Sequence, residues 1–115
     1  MHALQVVHGM EDGWREAFSR SSSLLRREGF TVSRERTGSR NGSARPPDIL
    51  ATHGARVVQA FVLVDADIDS GDTRRRIAAA VRRGETRVFV RWPLRWRMLS
   101  NVDRWGLRGV SVATW

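Results

Sequence analysis

The sequence predicts a single-domain α/β fold over residues 1–115, with a mainly parallel sheet flanked by helices. Three observations carry this. Residues 56–64 are almost wholly apolar and rich in Val, as in a strand buried on both faces. Short runs of strand-forming residues alternate with stretches of helical periodicity along the chain. A length of 115 residues, 41% of them hydrophobic, suffices for one core and hardly for two.

Taken in order, Leu4-Gln5-Val6-Val7-His8 is a short apolar run broken by Gly9, and predicts a first strand. Glu11 and Asp12 then open a helix, since acids favour the N-terminal dipole. Trp14, Phe18, Leu24 and Leu25 give that helix an apolar face, and Gly29 ends it. Phe30-Thr31-Val32 starts a second strand. Residues 37–47, T-G-S-R-N-G-S-A-R-P-P, predict a flexible basic loop. With Arg34 and Arg36, Arg40 and Arg45 make it a basic flap. Asp48-Ile49-Leu50-Ala51 reads equally as a short helix or a strand. After the buried run at 56–64, a helix starts at Asp72 or Thr73 and continues to about Arg83. Ile77, Ala80 and Val81 face inward and arginines face outward. Gly84 stops it. Residues 86–90 form a further strand. Residues 92–115 supply a last helix, over 94–105, and a last strand at Val110-Ser111-Val112-Ala113.

Composition narrows the functional classes. No apolar run approaches the roughly 20 residues of a membrane span, so no membrane partner is expected. The N-terminus lacks a basic stretch of the signal-peptide kind. Cysteine is absent, which excludes disulfides and thiolate metal sites and suits a cytoplasmic location. All 20 basic residues are arginine. Without lysine, a Walker A phosphate loop, Schiff-base chemistry and a lysyl intermediate are excluded. The net charge of +8 points to a polyanionic partner, most simply nucleic acid, DNA or RNA. Arginine pairs bidentately with phosphate and stacks on bases. The bland reading of the same charge is a solvated basic surface.

The acidic residues are concentrated where the buried run ends, in V-D-A-D-I-D-S-G-D. Asp65 and Asp67 lie just past the predicted strand, at the edge where open parallel sheets bind ligands. Spacing of two puts both on one side of an extended chain. Two close carboxylates repel unless a cation lies between them. A hard cation such as Mg²⁺, or Mn²⁺, takes such oxygens together with substrate phosphates. An EF-hand does not fit, because Ser70 and Arg76 occupy the positions that need Gly and Glu. The bland reading of the run is that Asp69 and Asp72 cap the following helix while arginines of its next turn neutralise the rest. It suits Asp72 best, and Asp69 is also a candidate third metal ligand.

Asp65-Ala66-Asp67-Ile68-Asp69-Ser70-Gly71 resembles the D-x-D-x-x-G motif of Toprim domains, with one extra residue before Gly71. Val6-Val7-His8-Gly9-Met10-Glu11-Asp12 resembles the strand ending in E-G-x-x-D that forms their second signature. The resemblance covers roughly residues 4–91 and implies a small stand-alone Toprim-like protein. It further implies Mg²⁺ on Asp65, Asp67 and Asp69, and metal-assisted phosphodiester cleavage or transfer. His8 stands where the family has its glutamate. An unperturbed imidazole titrates at about 6.5 and is able to move a proton. Alternatively Glu11 supplies the carboxylate, or catalysis is lost. The bland reading of His8 is a histidine at the edge of the core.

Pro47-Asp48-Ile49 before a hydrophobic strand also resembles the start of a PD-(D/E)xK nuclease, and the order of elements suits that fold. Its next motif needs an acid, a spacer and lysine; the chain offers Val58-Gln59-Ala60-Phe61-Val62-Leu63. The resemblance therefore implies a degenerate relative, a catalytically inactive DNA- or RNA-binding module. Finally, Arg91-Trp92-Pro93-Leu94-Arg95-Trp96-Arg97 interleaves arginine with tryptophan. Exposed, it would bind nucleic acid through phosphate contacts and base stacking. The near-helical spacing of Trp92, Trp96 and Leu99 instead favours rings packed on the sheet, with the arginines wet. The expected nucleic-acid contacts are Arg40, Arg45, Arg74, Arg75, Arg76, Arg95 and Arg97. A third role is that of a phage- or plasmid-type factor engaging an acidic protein surface.

Overall fold

The structure, a computed structural model, describes residues 2–34 and 46–115, with side chains over 13–33 and 46–115. The Arg40 and Arg45 flap and the side chains of His8 and Glu11 lie outside the described residues. The chain opens on a helix, α1 (His2–Arg27). The strand expected at Leu4 to His8 is therefore helical, and no new helix opens at Glu11. Leu4, Val7, Met10, Trp14 and Phe18 recur at intervals of three and four, the period of one helical face. A glycine inside a helix costs only about 1 kcal/mol relative to alanine, so Gly9 does not break it.

α1 ends in a left-handed turn at Gly29, φ 96°, where the Phe30 amide returns to the Leu25 carbonyl at 3.1 Å. The positive φ favours glycine there, and a Cβ would in addition stand 3.3 Å from the His53 imidazole, which would have to shift. The chain then forms β1 (Thr31–Arg34), β2 (Ile49–His53) and β3 (Arg56–Val62). Residues 49–51 are thus strand. β2 and β3 are joined by Gly54 and Ala55 alone, with Gly54 at φ 61°. So short a connection permits only an antiparallel pair. Next come α2 (Gly71–Val81), β4 (Thr86–Val90), α3 (Arg95–Arg104) and β5 (Val110–Thr114).

The sheet order is β1-β2-β3-β4-β5. β1–β2 and β2–β3 are antiparallel, whereas β3–β4 and β4–β5 are parallel. The sheet is therefore mixed and not mainly parallel. Burial of β3 on both faces marks a central strand, and a central strand need not have parallel neighbours on both sides. Alternate β3 side chains enter two cores. Val58, Ala60 and Val62 pack with Ala17 and Leu25 of α1, together with Ile49, Ala51 and Phe89. Phe61 and Leu63 pack with Ile77 and Ala80 of α2, Met98 and Val102 of α3, and Val88 and Val90. One helix covers one face and two cover the other, as three layers. Gln59, buried on the second face, donates from Nε2 to the Ala80 carbonyl at 2.8 Å, which satisfies the end of α2.

The cap of α2 is Ser70, and not Asp69 or Asp72. Ser70 Oγ accepts from the amides of Asp72 (3.1 Å) and Thr73 (3.2 Å). Asp72 occupies the first turn, where its charge suits the dipole. Ser70→Ala is expected to lower unfolding free energy by about 1 kcal/mol. Urea denaturation checks this as a lower midpoint at unchanged slope.

Candidate nucleic-acid interface

Because β3 and β4 are parallel, their C-terminal ends share one edge of the sheet. β2 is antiparallel to β3, so its N-terminal end, preceded by Asp48, reaches the same edge. From β3 the chain passes through Leu63 and Val64 into a 3-10 turn, Asp65–Asp67. From β4 it passes through Arg91 into a second 3-10 turn, Trp92–Leu94, and then into α3. The topology thus gathers the aspartates and the Arg-Trp segment in one place.

There Asp65 and Asp69 each meet an arginine. Arg91 clasps Asp65 with both arms, Nε to Oδ1 at 2.9 Å and Nη2 to Oδ2 at 2.5 Å. This bidentate bond holds the Asp65 carboxyl below the usual aspartate range and raises Arg91. Asp69 accepts from Asn101 Nδ2 at 2.8 Å and from Arg97. Asn101, first, and Arg97 lower its pKa, and Arg104 adds to the effect. Asn101 is buried; it also donates to the Ile68 carbonyl at 2.9 Å and accepts from Arg104 at 2.8 Å. It locks the turn that follows Asp67 to α3.

The Mg²⁺ donor set expected from the sequence is thus largely taken up by side-chain donors of the chain itself. Asp65 and Asp69 already have guanidinium partners, and among the described residues no group of three His, Cys, Asp or Glu converges. These donors do not fit a divalent cation as they stand. The glutamate-like role expected of His8 or Glu11 falls on α1, at a position that is helical and not a strand end.

Trp92 and Trp96 do not pack on the sheet. They are 66% and 70% exposed. The cause is the phase of α3, whose inner face is Met98, Asn101 and Val102, with Trp105 partly buried. Trp96 lies two positions before Met98, about 200° around the helix, and so points away. The Arg95 guanidinium lies 5.1 Å from the Trp96 ring centroid. This is cation–π geometry. Trp14, by contrast, is half-buried and donates to the Val62 carbonyl at 3.2 Å.

Of the α2 arginines, Arg74 and Arg75 are exposed as expected, with Arg75 Nη2 3.9 Å from Asp72. Arg76 turns inward. Its side chain is 12% exposed and its guanidinium lies 5.0 Å from the Phe61 ring centroid. Nη2 donates to the Pro46 carbonyl at 3.0 Å and to Asp48 Oδ1 at 3.3 Å. Asp48 Oδ2 in turn accepts from the Val62 amide at 2.8 Å. Sequence reasoning did not foresee Arg91, Asn101 or the Asp48–Arg76 pair. The available signal was position: Arg91 directly follows a strand whose neighbour ends beside Asp65. Among the described residues no helix is long and apolar enough to cross a membrane. Scans of family models, curated proteins and solved structures find no match to the chain.

Proposed function

We propose that the chain is a metal-independent nucleic-acid-binding module, on a scaffold resembling a degenerate PD-(D/E)xK nuclease. The observation that carries this reading is the exposure of Trp92 and Trp96 beside Arg91, Arg95 and Arg97 at one sheet edge. Arginine supplies phosphate contacts and indole supplies stacking. The nuclease resemblance is supported by the order α1-β1-β2-β3-α2-β4 and by Asp48, held at the start of β2 against the β3 backbone. β3 itself offers neither acid nor lysine between Val58 and Val62. The pairs Asp65–Arg91 and Asp69–Arg97 are exposed, and solvent screening leaves such pairs weak. Phosphates are able to displace these carboxylates from their arginines.

Anisotropy titrations with labelled oligonucleotides test the reading. Affinity is expected to fall tenfold or more between about 50 and 200 mM salt, because bound phosphates release counterions. EDTA is expected to leave it unchanged. Asp65→Asn with Asp69→Asn is expected to raise it several-fold by freeing Arg91 and Arg97. The Toprim-type alternative, with Mg²⁺ on Asp65, Asp67 and Asp69, demands the reverse: loss of binding with EDTA and with the same substitutions. Salt-insensitive binding, or none at low salt, would reject the nucleic-acid role and favour a protein partner.

A further inference from the structure

We infer that the ligand of this edge is single-stranded, with the rings of Trp92 and Trp96 stacking on unpaired bases. The inference rests on the nucleic-acid reading above and adds the substrate class. Bases inside a duplex are already stacked on both faces, so an indole gains little from them. A strand with splayed bases offers each ring a partner. A platform for such bases needs three properties, and this edge has them.

First, the rings are largely exposed, at 66% and 70%, with the Arg95 guanidinium over one face of Trp96, although apolar burial would otherwise favour covering them. Second, their backbone is fixed. Pro93 restricts its own φ, the Leu94 amide returns to the Arg91 carbonyl at 2.9 Å, and Leu94 packs into the second core. The α3 end is pinned by buried Met98 and Asn101. Third, cations flank the rings in sequence: Arg91 before Trp92, and Arg95 and Arg97 on either side of Trp96. Phosphates between successive stacked bases would meet them. Asp65 and Asp69 hold Arg91 and Arg97 at this edge until phosphates displace them.

The experiment compares one labelled sequence as single strand and as blunt duplex, at about 50 mM salt, against wild type, Trp92→Ala/Trp96→Ala and Trp92→Phe/Trp96→Phe. Circular dichroism checks folding, which these exposed positions should not disturb. The single strand is expected to bind about tenfold or more tightly than the duplex. The alanine pair should lose that preference while keeping duplex affinity and its salt slope. The phenylalanine pair should retain most of it. Equal binding of both forms, or a single-strand affinity unmoved by the alanine pair, overturns the inference and leaves the nucleic-acid role standing. Binding of neither form overturns that role itself. Capture of anionic vesicles, lost in the alanine pair and without preference for single strands, overturns the inference in favour of a lipid surface.

Discussion

Replacing Phe61 with alanine is expected to lower unfolding free energy by about 3–5 kcal/mol, the range for large-to-small changes in a core. Phe61 is fully buried at the middle of the sheet. Its strand is hydrogen-bonded on both sides, to Ile49–His53 and to Thr86–Val90, so the backbone cannot collapse into the space left behind. Ile77, Met98 and Val88 belong to the same core and would lose contacts together. The ring also carries the Arg76 guanidinium on its face, an interaction lost with it. Urea unfolding of the variant measures the effect. A loss below about 1.5 kcal/mol would mean that the site collapses more freely than this packing allows.

Asp48→Ala is expected to cost about 3 kcal/mol, at the lower end for breaking a buried ion pair, since both partners keep a little solvent. The side chains of Arg76 and Asp48 are 12% and 17% exposed. Removing the carboxylate strands a largely buried guanidinium whose Nε already lacks a partner among the described residues. It also takes the acceptor from the Val62 amide, near the end of β3. Asp48→Asn, which keeps an acceptor for that amide but removes the charge, should fall between wild type and alanine. Thermal unfolding of the three proteins checks the order. Alanine and asparagine of equal stability would locate the whole effect in the ion pair.

Much of the second half of the fold could be read from residues. The Val-rich β3, the arginine-faced α2 and the strand at 86–90 each carry a strong local pattern, and each forms where expected. The helical character of α1 is hidden in its first residues, because Leu4 to His8 is too short to show its period. Five residues with two valines fit a strand as well as a helix, and only the run continuing past Gly9 separates them. Burial reports neighbours and not their direction, so it does not reveal the mixed sheet; the two-residue link at Gly54 and Ala55 does. At the site, the aspartates were visible but their partners were not. Asp65 meets Arg91 only through the register that sets Val62 beside Phe89, a tertiary fact. The exposure of Trp96 depends on which α3 residues face the sheet, and a spacing shared with Leu99 does not fix that phase. The lysine-free composition, by contrast, excludes lysine-dependent reactions whatever the geometry.

The mixed sheet also divides the route by which the chain folds. The antiparallel β2–β3 pair closes across Gly54 and Ala55, so its closure costs little chain entropy. The parallel β3–β4 pair must wait until residues 63–85, with α2 among them, have been drawn across the sheet, and β4–β5 repeats that delay with α3. β3 belongs to both halves, so its local pairing with β2 is expected to precede its long-range pairing with β4. The edge that bears Trp92 and Trp96 is assembled by that slower half.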